Sequence, residues 1–331
     1  MNVEVWAPVG IRLAWMVGLV VAGYGGLVLL GGGQRFTDRL SRLVIDGLFP
    51  AMVVSSLARS FDRGDVGAVL EMGFAAVVML GMAGLVGWWR WFYRSWPGEP
   101  RSALFCVMLP NWIFLPLAMV GPLHGEVGVQ AVILFNIPMQ VLLWTVGVWF
   151  LRGTLRGGHS MRSLVVNPGM LATGVGMGLG WMWGDGEGGG MPRLIEGVVE
   201  AGSWVGSITV PVSLIALGCQ IAALRDAGRM SKRGMAWIVT IRLLAAPLMF
   251  GLAIMGVAMA SPWFGDREMR GILYLIAVMP IGVSVPLFLA RFGRDAGLGA
   301  RAVVVSTMVS LVTAIPMLML LELVDRLLLP F

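Results

Sequence analysis

Apolar residues run along this chain in long blocks, which short polar or glycine-rich stretches separate. Ten blocks exceed about 18 residues, the length that predicts a membrane-spanning helix. We therefore predict an all-α polytopic membrane protein of about ten spans. They lie at residues 9–31, 40–60, 66–89, 102–122, 127–151, 163–184, 202–223, 235–260, 270–291 and 301–324.

Two of the ten spans contain prolines at the same spacing. Span 4 holds Pro110 and Pro116, and span 9 holds Pro280 and Pro286, so each reads Pro-x5-Pro. Both prolines of a pair cannot sit in a regular helix, because each lacks an N–H and clashes with the preceding turn. Inside a membrane, a broken helix is tolerated only where protein buries the freed backbone groups or a cavity uses them. We therefore predict broken helices 4 and 9, a pairing that marks the binding site in many transporters.

The two halves of the chain carry similar features in the same order. The Pro-x5-Pro stretches lie 170 residues apart, and Pro50 of span 2 precedes Pro211 of span 7 by 161 residues. Each half holds five spans, an odd number, so the second half enters the membrane from the opposite side. We therefore predict two inverted five-helix repeats, at residues 1–152 and residues 163–331.

Composition and charge agree with a membrane location and argue against nucleic acid as a partner. Of the 331 residues, 58% are hydrophobic and 13% are charged, against about 25% charged in a soluble domain. The net charge of +6 comes from basic residues that are scattered through short loops rather than gathered on one face. Most of them lie in the odd-numbered loops, which places those loops in the cytoplasm and both termini on the outer side. We expect a multi-pass protein of the cell membrane.

The interrupted stretches supply the candidate substrate-binding residues. The N-terminus of a second half-helix offers unpaired N–H groups and a positive dipole end, which favour an anion. Asn111 adds an amide, Ser284 adds a hydroxyl, and Gly282 allows close backbone approach. Alternatively, Asn111 only caps a freed backbone group, Ser284 and Gly282 only pack, and the prolines only kink continuous helices. The full set is Pro110, Asn111, Trp112, Pro116, Pro280, Gly282, Ser284 and Pro286.

Four further polar residues fall inside predicted spans. Arg242 in span 8 is costly in hydrocarbon, so it must face a cavity, find a partner or extend to the interface. Glu71 in span 3 is either a carboxylate that takes up a proton or a hydrated residue near the outer interface. We treat both residues as candidates for charge or proton coupling. Asn136 and Gln140, one turn apart on span 5, either line the transport path or pair with neighbouring backbone.

The sequence contains no pattern typical of an enzyme, a metal site or a cofactor site. Cys106 and Cys219 both lie in apolar spans, and His124 and His159 are isolated loop residues. An intramembrane hydrolase needs a nucleophile with its base, or a metal, inside the membrane. We therefore predict neither catalysis nor a cofactor.

The order of motifs along the spans resembles the auxin efflux carrier family, within the bile acid:sodium symporter-like superfamily. The likeness rests on Pro110-Asn111, Leu115-Pro116-Leu117, residues 143–149, Met279-Pro280 and residues 291–295. It implies scaffold helices at residues 9–60 and 163–223, which form a homodimer, and transport-domain helices at residues 66–151 and 235–324. The step from Asn111 to Pro116 is shorter than in many relatives. The linker at 153–162 is also short, so regulation through a long loop is not implied.

These features together predict a secondary transporter of a small organic anion that works by alternating access of the elevator type. The substrate is expected to be a carboxylate, a dicarboxylate or an auxin-like molecule, and the other partners are the lipid bilayer and a second copy of the chain. A sodium-coupled carrier of the bile-acid type has the same fold, but it builds cation sites from carboxylates and amides, and residues 279–286 contain none. The remaining alternative is a membrane sensor or subunit that transports nothing.

Overall fold

The computed structural model of the protein describes residues 3–61, 66–93, 99–152, 168–183, 190–223, 232–260 and 264–329, and these residues are predominantly helical. Three π-helical turns each join two successive helices without a break between them: Val44–Leu48, Leu143–Gly147 and Ile241–Ala245. The helices are α1 (Val3–Leu29), α2 (Gln34–Leu43), α3 (Phe49–Ser60), α4 (Val66–Tyr93), α5 (Pro100–Met108), α6 (Phe114–Leu142), α7 (Val148–Arg152), α8 (Pro168–Trp183), α9 (Arg193–Ser207), α10 (Thr209–Ala223), α11 (Lys232–Thr240), α12 (Ala246–Ala260), α13 (Arg267–Ala277), α14 (Val285–Arg291) and α15 (Ala296–Leu328).

Six helical stretches in the described part of the chain are long and apolar enough to cross a membrane. They correspond to predicted spans 2, 3, 5, 7, 8 and 10, which confirms an all-α, multi-pass membrane protein. Their bounds are Arg35–Arg59, Gly67–Trp89, Val127–Arg152, Arg193–Ala223, Lys232–Ala260 and Ala296–Leu328. Predicted span 6 is described only through α8, since residues 163–167 and 184 lie outside the described residues. The count of ten and the inverted repeats stay predictions.

The predicted boundary between spans 4 and 5 is a kink inside α6. At Gly125 the backbone turns to φ 60° and ψ −148°, a conformation that glycine adopts without steric cost. The last part of span 4 and most of span 5 therefore belong to α6, with the change of direction at this glycine.

The first of two compact units comprises residues 1–13, 74–132 and 224–331. It contains α5, α13 and α14 together with α11, α12 and α15. Residues 270–277 of α13 are all buried. This part of the helix is therefore surrounded by protein and is not exposed at the surface. Both interrupted spans lie in this unit.

The second compact unit comprises residues 14–73 and 133–223. Its helices α3 and α8 pack closely because glycines of α8 face α3. A Cβ atom on Gly176 would lie 2.9 Å from the Leu57 Cβ, closer than two side chains can approach, so glycine sets this helix separation. The predicted division into scaffold and transport-domain helices stays a prediction.

Candidate functional site

Two non-helical segments of the first unit meet at a place that we call the junction, residues 109–113 and residues 278–284. The first segment separates α5, which ends at Met108, from α6, which begins at Phe114. The second separates α13, which ends at Ala277, from α14, which begins at Val285. Both interruptions fall in the Pro-x5-Pro stretches.

The two segments pair through their backbones. The Asn111 N–H donates to the Pro280 carbonyl oxygen at 2.7 Å, and the Gly282 N–H donates to the Leu109 carbonyl oxygen at 3.0 Å. These bonds make Pro110 and Ile281 an isolated antiparallel bridge. Two N–H groups and two carbonyl groups that the helix breaks release are therefore satisfied by the opposite segment.

The position of the first proline in each stretch explains where α5 and α13 end. In a continuous α-helix, the Cys106 carbonyl would accept from the N–H of residue 110, and the Ile276 carbonyl from the N–H of residue 280. Both of those residues are proline and have no N–H to donate. Each helix therefore stops within two or three residues before its proline.

Gly282 is the point of closest backbone approach in the junction. A Cβ atom built on this residue would lie 2.9 Å from the Pro110 carbonyl oxygen and 3.7 Å from that of Leu109. Any side chain here would push the paired segments apart. The packing interpretation of Gly282 therefore has direct support from the geometry.

Arg242 connects the C-terminal end of α5 to that of α13, the helices that precede the two breaks. Its Nη1 donates to the Val107 carbonyl oxygen at 3.2 Å, and its Nη2 donates to the Ala277 carbonyl oxygen. The side chain is 1% exposed, and no described carboxylate pairs with it. A guanidinium charge at two helix C-termini is favourable, because each end carries roughly half a negative charge from the helix dipole. This contact explains how an arginine is accommodated in the middle of an apolar span.

Ser306 of α15 satisfies one further backbone group of the junction. The Ile281 N–H donates to its Oγ at 3.2 Å, and the hydroxyl in turn donates to the Val303 carbonyl oxygen at 3.0 Å. Ser306 is completely buried. Sequence reasoning did not single it out as a site residue, since its role depends on a contact with a residue 25 positions away.

The second half-helices begin with the later proline of each stretch. Pro116 is the third residue of α6, and Pro286 is the second residue of α14, where the missing N–H costs nothing. The half-buried Ser284 precedes α14, and its hydroxyl makes no capping bond. Because α14 is only seven residues long, the N-terminus of α6 is the stronger anion-attracting end. Asn111 and Trp112, just before it, are each 3% exposed.

Three of the predicted polar residues lie in the second unit, whereas the junction lies in the first. Asn136 and Gln140 are buried, and the Gln140 Nε2 donates to the Asn136 Oδ1 at 3.2 Å. Glu71 is half-buried in α4, with no ion pair to another described residue. Arg242 lies in the first unit, where it binds the Val107 and Ala277 carbonyls beside the two junction segments.

A buried ionic cluster anchors the start of α13, and no pattern in the sequence predicted it. Arg270 forms a bidentate pair with Asp325 of α15, with Nε–Oδ1 at 2.8 Å and Nη2–Oδ2 at 2.9 Å. The Tyr274 hydroxyl also donates to the Asp325 Oδ1, at 2.7 Å. The pair joins residues 55 positions apart, so only the fold could reveal it.

A second polar cluster anchors the start of α5, before predicted span 4. Glu99 accepts hydrogen bonds from the Ser102 Oγ at 2.6 Å and from the Arg294 Nη1 at 2.5 Å. Burial acts to raise the pKa of Glu99, but the hydrogen bonds from Ser102 and Arg294 outweigh it, so the pKa lies below its ordinary value. The carboxylate therefore connects the start of α5 to the turn between α14 and α15.

Six apolar helical stretches and a buried backbone junction define a multi-pass helical membrane protein. Residues 34–167 match the family model described as membrane transport protein. This match confirms the family resemblance over that region, which includes the first interrupted span, and it supports a transporter rather than an enzyme. Comparison with the curated proteins gives no match.

Proposed function

We propose that the protein is a secondary transporter of a small organic anion, which binds at the junction by its carboxylate. The observation that carries this proposal is the meeting of two broken helices, with a buried arginine at their C-terminal ends. Arg242 offsets the partial negative charge at the C-terminal ends of α5 and α13. The partial positive charge at the N-terminus of α6 is not offset in this way. An anion at that end would meet favourable electrostatics without a further basic side chain.

The substrate contacts in this proposal are the Asn111 amide, the Ser284 hydroxyl and the first N–H groups of α6. Amide and hydroxyl donors of this kind orient a carboxylate, and a helix N-terminus attracts its charge. Trp112 and the four prolines shape the site, and Gly282 keeps the two segments in contact. Glu71 is our candidate for proton coupling.

Transport in this proposal follows an elevator form of alternating access. The transport-domain helices, at residues 66–151 and 235–324, carry the junction across the membrane past the scaffold helices at residues 9–60 and 163–223. The repeats are inverted, the scaffold forms a homodimer, and both termini face outward from the cell membrane. A carrier built from inverted repeats with a binding site at broken helices near the midplane is a recurrent design among secondary transporters.

The first test is a thermal-shift screen of the purified full-length chain against mono- and dicarboxylates in detergent. A ligand that binds only the folded state raises the unfolding midpoint, and the rise grows as the ligand concentration exceeds its Kd. A carboxylate that raises the midpoint is then supplied, radiolabelled, to proteoliposomes, with empty liposomes as the control. We expect saturable uptake. A complete screen in which no carboxylate stabilises the protein or accumulates would contradict the proposal.

A further inference from the structure

Arg242 binds two carbonyl groups that occupy the same place in the two halves of the chain. Val107 and Ala277 lie 170 residues apart, as do Pro110 and Pro280. In a continuous helix, the Val107 carbonyl would accept from the Asn111 N–H, and the Ala277 carbonyl from the Ile281 N–H. Those N–H groups instead donate to the Pro280 carbonyl and to Ser306. Val107 and Ala277 are thus equivalent carbonyls that the two helix breaks free, and one guanidinium binds both.

Freed carbonyls at the C-terminal ends of broken helices are a recognised setting for a coupling cation in secondary transporters. Here the two oxygens already receive hydrogen bonds from a positive charge that is attached to the chain. The guanidinium is 1% exposed and sits among backbone acceptors. Within the described residues no carboxylate neutralises it, so a second cation at this position would be repelled.

The position of Arg242 in its helix is also typical of a functional residue. The residue belongs to the π-helical turn Ile241–Ala245, which joins α11 to α12. Single π-helical turns inside α-helices are frequent at functional sites. Because Arg242 acts on the junction through the carbonyls at the ends of α5 and α13, it is a positioning residue.

We propose that Arg242 takes the place of a coupling cation, so that the carrier needs no sodium to hold its two broken helices together. The proposal rests on the transport function proposed above only for its consequence in uptake. Its claim about stability is that no bound cation other than Arg242 is needed at the ends of α5 and α13, and this claim is testable without any substrate. Truncation of Arg242 should leave a vacant cation site between the Val107 and Ala277 carbonyls.

The experiment compares thermal unfolding of the full-length wild-type protein with that of Arg242→Ala in detergent, at constant ionic strength. The added cations are choline, sodium and ethylguanidinium, the last of which contains the atoms that the substitution removes. We expect the wild-type midpoint to be the same in all three. We expect Arg242→Ala to melt roughly 5–10 °C lower in choline, and ethylguanidinium to restore at least half of that loss by binding the folded state.

The controls separate this role from a general packing defect. Arg267→Ala removes an exposed arginine of α13 and should respond equally to all three salts. Arg242→Lys keeps a cation and should show a smaller loss than Arg242→Ala, with no response to ethylguanidinium. If Arg242→Ala gains nothing from ethylguanidinium or sodium beyond choline, the proposal is wrong.

Measurements on the wild-type protein test the proposal as well, even if Arg242→Ala fails to fold. Stabilisation of the wild-type protein by sodium over choline, or uptake that requires a sodium gradient, would overturn the proposal. Equal midpoints and equal uptake in sodium and choline support it. If no carboxylate is transported at all, the transport function fails, while the thermal measurements still decide the role of Arg242.

Discussion

At the scale of single residues, the junction is determined by where backbone donors and acceptors find partners. The first proline of each stretch removes one N–H group. The paired segments use the Asn111 and Gly282 N–H groups, and Ser306 accepts from Ile281. Arg242 donates to two of the carbonyls that remain, those of Val107 and Ala277. Because an unsatisfied buried polar group costs about 1–3 kcal/mol, each of these residues should be sensitive to substitution in a specific way.

Gly282→Ala should destabilise the protein. The added Cβ would lie 2.9 Å from the Pro110 carbonyl oxygen, and this neighbour is backbone that cannot rotate away, so we expect a cost of about 1–3 kcal/mol. Thermal unfolding in detergent measures the effect. Gly256→Ala in α12, where an added Cβ meets nothing within 4 Å, is the matched control and should be neutral or slightly stabilising. Equal midpoints for the two variants would show that the segments are not in close contact.

Ser306→Ala should lower stability more than Ser310→Ala in the same helix. The first change leaves the buried Ile281 N–H without its acceptor, at a cost of about 1–3 kcal/mol. The second removes only a hydroxyl that donates to the Thr307 carbonyl of its own helix, so its loss should be smaller. The two unfolding midpoints provide the comparison. Equal losses would contradict the bridging role of Ser306.

At the scale of elements, the half-helices are held at their outer ends as well as at the junction. The Arg270–Asp325 pair joins the start of α13 to the end of α15, and Glu99 joins the start of α5 to the turn after α14. Of the two, only the Arg270–Asp325 pair is fully buried, and removing one of its members would be strongly destabilising because it leaves the other charge without compensation. These anchors limit how far the broken helices can shift independently of α15.

The Glu99 anchor should make stability depend on pH. Its pKa in the folded state lies below the ordinary value of 4.5, so its contribution is complete above that pH and is lost as the pH falls through the folded value. We therefore expect wild type to melt higher than Glu99→Gln at neutral pH, with the difference vanishing in acid. The exposed Glu200→Gln is the control and should follow wild type. A difference that persists unchanged into acid would rule out the carboxylate as its source.

How far the sequence predicted these elements depends on the range of the interactions involved. Proline acts on its own helix through a missing N–H, so the positions of the breaks could be read from spacing. The partners of Arg242 lie 135 and 35 residues away, and a mid-span arginine alone left several roles open. The start of α9 at Arg193 also precedes the predicted residue 202, because a less apolar segment continues the same helix.

At the scale of the whole molecule, the apolar blocks predicted a multi-pass helical membrane protein, and the family match over residues 34–167 supports a transporter. Six stretches of the described residues are long and apolar enough to span a membrane. The two compact units each bring together stretches from both halves of the sequence. Hydropathy could not predict which helices pack within a unit, because every span is apolar and the choice depends on glycine contacts and buried hydrogen bonds.

The central claim is that the junction binds the carboxylate of an organic anion. The most direct measurement is equilibrium binding of the best radiolabelled carboxylate to the purified protein by scintillation proximity. The comparison is between wild type, Asn111→Ala and Ser284→Ala, with Gly256→Ala as a folded control.

Loss of a hydrogen bond to a charged group should weaken binding by roughly 10- to 100-fold in Asn111→Ala, and by a smaller factor in Ser284→Ala, while the control binds as wild type does. Unchanged affinity in both site variants, with the unfolding midpoint of each preserved, would contradict the assignment of the anion to the junction.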